Sequence, residues 1–198
     1  MPLHFTLEIV TSPKLLSKNP HNDGLVVLVI MANIFLYGTL CDLELLQICL
    51  GRSLDEIDKQ PARLDNYSVF WVKGRNFPVI KFVEGASAQG LVLIDLSNDD
   101  LNRLDFYEGS FNYELRKVSI YIENKQLRDH RDMVEAQVYF NTDEKIEVGD
   151  QWSLRNWQTE FGDVSRRVAI EFMQLHNLSN EIDLLMEYEN IYSRVFKN

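Results

Sequence analysis

The stretch that decides the fold reads Phe35-Leu36-Tyr37-Gly38-Thr39-Leu40. The apolar residues 34–37 predict a short strand, and residues 42–50 predict a helix that ends at Gly51. Gly38 lets the backbone approach a ligand closely, and free amides at the start of the following helix are suited to binding a carboxylate or a developing oxyanion. Taken alone, residues 37–40 favour the simpler interpretation of a tight turn between strand and helix.

A second informative stretch lies later in the chain and reads Leu104-Asp105-Phe106-Tyr107-Glu108-Gly109. Ser97 and Asp100 predict a capping box for a helix that is closed by Gly109. Glu108 would lie at the C-terminal end of this helix, where the dipole, the neighbouring Asp105 and any burial all raise the pKa of its carboxyl group. Such a group is suited to proton transfer near neutral pH. The simpler interpretation is a surface glutamate before a capping glycine.

The rest of the central region is predicted to be rich in β-structure. Aromatic and β-branched residues, or apolar alternation, predict strands over residues 64–72, 79–83, 89–96, 113–123 and 134–140. Two helices are embedded among these strands, and the regular alternation of strand and helix typical of a doubly wound sheet is not found. The pattern therefore predicts an α+β fold.

The end of the chain has a different pattern. Between Trp157 and Leu175, apolar residues recur at spacings of three and four, which predicts an amphipathic helix. A second helix is predicted to begin near Asn180. We interpret residues 151–198 as a C-terminal helical extension packed on the preceding domain, with its apolar stripes serving as core.

The first thirty residues differ in character from the rest of the chain. Residues 11–24 are polar and rich in turn-forming residues, whereas residues 25–36 are apolar except for Asn33. Twelve residues are too few for a membrane-spanning helix, and the long polar leader before them is atypical of a signal peptide. We interpret residues 1–30 as an N-terminal extension; an initiator at Met31, with residues 1–30 as a translated leader, is the open alternative.

Composition excludes several classes of partner. The chain has 198 residues and a net charge of −10, which repels phosphate backbones, so no nucleic-acid partner is expected. The four histidines show no ligand spacing, and no metal site is expected. The two cysteines, Cys41 and Cys49, are predicted to lie too far apart for a disulfide and to behave as small apolar residues. Free cysteines are typical of a reducing compartment, so a cytoplasmic location is expected. No membrane partner is expected, because the apolar run at residues 25–36 is too short to span a membrane.

The order and spacing of several short motifs resemble the gamma-glutamylcyclotransferase-like family, which includes gamma-glutamylamine cyclotransferases and plant avirulence-induced proteins. The resemblance covers roughly residues 33–142. Its motifs are residues 35–40, Phe77-Pro78-Val79-Ile80, Gln89-Gly90-Leu91-Val92, residues 104–109, Tyr113 and Val138-Tyr139-Phe140. It implies a small mixed β-barrel-like sheet with flanking helices over residues 31–150, to which the C-terminal helical extension is added.

The resemblance also implies roles for particular residues. The substrate would be cradled by the loop Tyr37, Gly38, Thr39 and Leu40 and contacted by Tyr113, and the acid/base would be Glu108. The implied reaction cyclises a gamma-glutamyl amine or amino acid to 5-oxoproline, releases the amine and needs no cofactor. The chain departs from the family in having threonine at the usual serine position of the loop and an arginine, Arg116, placed one residue late.

Two other functions remain open. One is an amide-bond enzyme that uses the same cradle on a different substrate. The other is a non-catalytic protein that binds or senses a small molecule, against which the presence of Glu108 argues. The resemblance implies a small gamma-glutamyl compound as partner. It does not assign the amine that is released or the oligomeric state.

Overall fold

The structure is a computed structural model that describes residues 31–109, 112–123, 132–143, 145–178 and 183–197. The interpretation of residues 1–30 lies outside the described residues. The strands are β1 (Ala32–Leu36), β2 (Asp58–Val72), β3 (Pro78–Leu96), β4 (Tyr113–Ile122), β5 (Asp132–Asn141) and β6 (Val148–Gln151). The α-helices are α1 (Leu43–Leu50), α2 (Asn98–Gly109), α3 (Leu154–Trp157), α4 (Asp163–Phe172) and α5 (Leu184–Phe196).

Five strands close into a barrel. The hydrogen-bonded order is β3-β1-β5-β4-β2, and β2 pairs again with β3 to complete the circle, while β6 joins the far half of β2. β1 is parallel to β5 and antiparallel to β3, so the sheet is mixed. The predicted α+β fold with a small mixed barrel-like sheet is therefore confirmed.

β1 is buried on both faces, which explains its continuous apolar sequence. Because side chains alternate along a strand, Phe35 points into the barrel and Ile34 and Leu36 point towards the helices. Phe35, Ile34 and Leu36 are 1%, 0% and 4% exposed. One strand thus joins the barrel core to the helical core, and it leads directly into the loop at Gly38.

Gly90 sits where β3 and β1 approach each other most closely. A Cβ atom there would lie 2.0 Å from the carbonyl oxygen of Leu36 and 2.8 Å from the ring of Phe35. Because such distances are far inside van der Waals contact, a side chain at Gly90 would push β1 away from β3. The absence of a side chain at this position is what lets the barrel close beside the end of β1.

The clearest differences from the predicted boundaries concern β3, β2 and α5. The strands predicted over residues 79–83 and 89–96 form the single strand β3, in which residues 83–86 bulge opposite Asn66. This bulge is stabilised by a hydrogen bond of 3.0 Å from the Gly85 amide to the Asn66 side-chain oxygen. β2 begins at Asp58 rather than at residue 64 because its first half pairs with β3. α5 begins at Leu184, with Asp183 as its N-cap, rather than near residue 180.

The C-terminal helices pack on α1 and α2 in one hydrophobic core. α3 and α4 form a nearly continuous rod, interrupted by a π-helical turn at Gln158–Gly162. Side chains from this rod and from α5 share a buried cluster with β1, α1 and α2; they are Trp157, Val168, Ala169, Phe172, Met173, Ile191 and Val195. The helices therefore cover the face of β1 that points away from the barrel interior.

We predict that Gly90→Ala lowers the free energy of unfolding by about 3 kcal/mol, because the new methyl group forces the backbones of β1 and β3 apart. Urea unfolding at pH 7 measures this change. Gly149→Ala is the matched control: its Cβ would lie 3.7 Å from the nearest atom, the Trp71 carbonyl oxygen, so its effect is expected to stay within about 1 kcal/mol. Equal stabilities of the two variants would contradict the close approach at Gly90.

Candidate active site

The loop after β1 folds into a tight turn that faces a cavity. Residues Thr39–Cys41 form one turn of 3₁₀ helix, closed by hydrogen bonds from the Cys41 amide to the Gly38 carbonyl (3.0 Å) and from the Asp42 amide to the Thr39 carbonyl (2.9 Å). In such a turn the first amides have no acceptor within the turn itself. The loop is therefore a tight turn between strand and helix, and the binding of an anion by its amides stays a prediction.

Asp42 holds this loop in place. One of its carboxylate oxygens caps α1 by accepting a hydrogen bond of 2.8 Å from the Leu45 amide. The other accepts hydrogen bonds from Gln158 (2.8 Å) and Arg166 (3.0 Å). Asp42 is only 4% exposed; Arg166 supplies the opposite charge to its buried carboxylate, and Gln158 supplies a further hydrogen bond. The loop is thereby fixed to α1 on one side and to the rod of α3 and α4 on the other.

α2 carries Glu108 in its last turn. The predicted capping box is present: the Asp100 amide donates to the Ser97 hydroxyl (3.2 Å), and the Ser97 amide donates to the Asp100 carboxylate (3.0 Å). Asp100 is also paired with Arg52 through hydrogen bonds of 2.7 and 2.9 Å, which ties the start of α2 to the end of α1. The position of Glu108 is therefore set by contacts at the other end of its helix.

A small cavity brings most of the candidate residues together. Its volume is about 30 Å³, and its walls include Tyr37, Gly38, Leu40, Glu108 and Tyr113. Thr39 lines a larger neighbouring cleft, which also borders Glu108 and Tyr113. The two cavities share the Glu108 side chain, so every residue named from the sequence lies at this one place in the fold.

Burial raises the pKa of the Glu108 carboxyl group to about 7. The direction agrees with the expectation from the sequence. The sequence suggested three causes, namely the helix dipole, the neighbouring Asp105 and burial; the structure supports burial. Asp105 instead accepts a hydrogen bond of 2.5 Å from the Tyr139 hydroxyl, and its own pKa is raised, first of all by burial.

The tyrosines around Glu108 are neutral hydrogen-bonding groups. Burial raises the pKa of both Tyr37 and Tyr113, and the neighbouring Glu108 contributes in the same direction. The Tyr37 hydroxyl donates to the Tyr139 carbonyl, and the Tyr113 hydroxyl donates to the Pro78 carbonyl, each at 2.9 Å. The Tyr37 oxygen also accepts a hydrogen bond from the Ile80 backbone, and the Tyr113 oxygen accepts one from the Asn141 side chain. Both phenols are thereby fixed in orientation, and each oxygen keeps one further lone pair.

The sequence analysis missed part of the site. Pro78 and Tyr139 line the small cavity, although they appeared only as parts of motifs. Leu185 and Tyr192 of α5 line the larger cleft, although the apolar stripe of this helix was interpreted as core. The sequence does not separate these residues from the core stripe; the structure does, since Leu185 is 44% exposed whereas Ile191 and Val195 on the same helix are buried.

Within the described residues, no group of histidine, cysteine or acidic side chains is arranged to hold a metal ion. Nor does any helix in this part of the chain combine the length and apolar character needed to cross a membrane. Cys41 and Cys49 are both free thiols.

We predict that Glu108→Gln stabilises the fold at pH 8 more than at pH 5. Since the pKa of Glu108 is raised from 4.5 to about 7, folding favours its protonated form, and stability is lost as the pH rises through this interval. The neutral amide removes this loss, which amounts to about 2–3 kcal/mol at pH 8. Urea unfolding of both proteins at the two pH values measures the difference.

The control for this experiment is Glu160→Gln, which replaces an exposed glutamate of the π-helical turn. Its effect on stability is expected to be small and the same at both pH values. A Glu108→Gln effect that is likewise independent of pH would show that the carboxyl group is not desolvated in the folded chain.

Known proteins resemble this chain in sequence and in fold. The family model described as "Gamma-glutamyl cyclotransferase, AIG2-like" matches residues 34–159. AIG2-like protein B of Arabidopsis thaliana is 28% identical over 126 residues, which cover 64% of this chain and 69% of that protein. A solution structure of an Arabidopsis thaliana protein aligns with a TM-score of 0.52 at 25% identity, covering 67% of this chain and 84% of the other. A second one aligns with a TM-score of 0.52 at 20% identity, covering 86% and 90%, and shows a common fold. The chain therefore belongs to the gamma-glutamyl cyclotransferase, AIG2-like family.

Proposed function

We propose that this protein is a cyclotransferase that converts a gamma-glutamyl amide to 5-oxoproline and a free amine. The observation that carries the proposal is the partly buried Glu108 carboxyl group, with a pKa of about 7, in the same cavity as the loop at Gly38. A carboxyl group with this pKa can both accept and return a proton near neutral pH. Family membership supports the same chemistry.

In this proposal the loop holds the substrate and its developing charge. The amides of Gly38, Thr39 and Leu40 would donate hydrogen bonds to the α-carboxylate or to the γ-carbonyl oxygen of the glutamyl group. The small cavity, at about 30 Å³, has room for one such group, and the rest of the substrate would extend into the larger cleft. Because Asp42 fixes the end of the loop to α1 and to the rod of α3 and α4, these donors are arranged before the substrate arrives.

The reaction requires two protons to move from one nitrogen to the other. Glu108, in its ionised form, takes a proton from the α-ammonium group, and the resulting amine attacks the γ-carbonyl carbon. The new carbon–nitrogen bond closes a five-membered lactam, and the bond to the leaving nitrogen breaks. Glu108 returns its proton to that nitrogen; the second proton leaves the lactam nitrogen for the departing amine, which is released as an ammonium ion. The nucleophile is intramolecular, so positioning supplies much of the rate.

The two fixed tyrosines would orient the glutamyl group. The hydroxyl oxygens of Tyr37 and Tyr113 can accept hydrogen bonds from the α-ammonium group, because their own protons are directed at backbone carbonyls. Residues of the chain perform every proposed step, and the reaction needs no cofactor. The free thiols Cys41 and Cys49 suit a reducing compartment, and we place the enzyme in the cytoplasm.

Product analysis tests this function. Incubation with a gamma-glutamyl amide is expected to release 5-oxoproline and the amine in equal amounts, detected by mass spectrometry. Release of glutamate instead would identify an amide hydrolase that uses the same cradle. Binding of gamma-glutamyl compounds without any product would identify a non-catalytic binding protein.

We predict that Glu108→Gln lowers turnover by on the order of 10²- to 10⁴-fold, because the amide can neither accept nor return the proton. The fold and substrate binding should be retained, since glutamine has nearly the same shape. For the parent enzyme, kcat/KM should rise with pH through about 7, as the base becomes ionised. Steady-state kinetics across this pH range measures both effects.

The matched control is Asp105→Asn, on the same helix. Asp105 contacts Tyr139 and does not line either cavity, so its replacement should have a smaller effect on turnover. If Glu108→Gln turned over a substrate at nearly the parent rate, Glu108 would be removed from the mechanism.

A further inference from the structure

The larger cleft begins at Glu108 and ends at α5. Its volume is about 790 Å³, which is within the range of small-molecule sites. It shares Glu108 and Tyr113 with the small cavity, so a substrate whose glutamyl end lies at the loop would place its other end in this cleft. One wall comes from the connection between β2 and β3, and the opposite wall comes from α5.

Aromatic and aliphatic side chains contribute slightly more than half of the exposed wall of this cleft, and polar groups contribute the rest. The aromatic and aliphatic side chains are contributed by the connection between β2 and β3, by the rod of α3 and α4, and by α5; the main ones are Phe77, Trp157, Phe161, Leu185, Tyr188 and Tyr192. Such walls bind apolar surface, and aromatic groups in particular, because ring faces and edges pack well against each other. Leu185, 44% exposed, has apolar surface available to a bound group.

The charged groups of the cleft disfavour a carboxylate. Among the described residues that line it, the acids are Glu108, Asp143 and Glu189, and the base is Arg75. The chain as a whole has a net charge of −10, which adds to the unfavourable potential for an anion. A leaving group with its own carboxylate would therefore be repelled more than it would be attracted.

Hydrogen bonds of Asn76 help to shape the cleft. Asn76 lies in the connection between β2 and β3: its carbonyl accepts a hydrogen bond of 2.9 Å from the Trp157 indole, and its side-chain amide donates to the Tyr192 hydroxyl at 3.3 Å. The rings of Tyr188 and Tyr192 are stacked, with centroids 6.4 Å apart. The bond to Tyr192 joins α5 to the connection between β2 and β3, the bond from Trp157 joins the connection to α3, and the stacked rings lie side by side on α5.

From this we infer that the leaving group of the substrate is an amine with an aromatic or bulky apolar body and no carboxylate, and that Leu185 helps to select it. The inference rests on the proposed cyclotransferase function, because it assigns the leaving-group half of the same site. It distinguishes this chain from an enzyme whose substrates are gamma-glutamyl amino acids. The amine nitrogen lies beside Glu108, and its apolar body packs between α5 and the π-helical turn.

Three substrates test separately whether the leaving group needs an apolar body and whether a carboxylate on it is disfavoured. They are gamma-glutamyl-phenethylamide, gamma-glutamyl-ethylamide, which lacks the ring, and gamma-glutamyl-phenylalanine, which adds a carboxylate to the first. We expect kcat/KM for the phenethylamide to exceed that for the ethylamide by about tenfold or more. We expect it to exceed that for gamma-glutamyl-phenylalanine by at least about fivefold. A preference for gamma-glutamyl-phenylalanine would show that Arg75 binds the carboxylate, and it would overturn the inference.

Two neighbouring residues of α5 provide a matched pair of variants. Leu185 lines the cleft, whereas Met186, 55% exposed, does not. Leu185→Ala should reduce the preference for the phenethylamide over the ethylamide by about three- to tenfold, because it removes apolar contact with the ring. Met186→Ala should leave this preference unchanged. Equal effects of the two variants would contradict a role for Leu185 in selection.

Binding measurements separate failure of this inference from failure of the proposed function. Calorimetric titration of Glu108→Gln with the three compounds measures affinity without turnover. Preferred binding of the phenethylamide by a protein that makes no 5-oxoproline would retain the inference and reject the function. Equal turnover of all three compounds would retain the function and reject the inference. Neither binding nor turnover of any of the three would reject both.

Discussion

The close approach of β3 to β1 at Gly90 is the constraint on which the rest of the structure depends. The Leu36 carbonyl oxygen occupies the space that a side chain at Gly90 would need. This approach closes the barrel and fixes the end of β1, from which the loop at Gly38 emerges. Pro78 lies 3.1 Å from the position of a Cβ on Gly38, so the loop is packed closely against the start of β3 as well. The geometry of the site thus depends on how the barrel closes.

The C-terminal helices hold the loop after β1 in place and form part of the cleft beside it. Arg166 pairs with the buried carboxylate of Asp42, Gln158 donates a hydrogen bond to it, and α5 forms a wall of the cleft beside Glu108. Removing one partner of a buried charge usually costs more than the pair contributes, so these helices and the loop are mutually dependent. Under the proposed function, the same elements that bury the outer face of the barrel would also shape the space for the leaving group.

Short-range signals made much of the fold and of the candidate site predictable from the sequence. The cap at Asp42 and the left-handed glycine Gly51 set the bounds of α1. Glu108 was singled out by its position at the end of a capped helix, but its acid/base role was implied only by the family resemblance. What could not be predicted depends on contacts between distant parts of the chain. β3 is continuous because β2 pairs with it on both sides of the bulge. α5 lies at the cleft with the Tyr192 hydroxyl hydrogen-bonded to the side chain of Asn76, 116 residues away. No local pattern encodes either contact.

The proposed function requires one site that combines the loop at Gly38 with the carboxyl group of Glu108. A crystal structure of Glu108→Gln bound to 5-oxoproline is the decisive measurement. We expect the carboxylate or lactam oxygen of the ligand to lie within hydrogen-bond distance of the amides of residues 38–40, and the lactam nitrogen to lie beside the side chain at position 108. A ligand bound elsewhere, or a distance of more than about 10 Å between that side chain and the loop, too great for one small substrate to span both, would contradict the proposed function.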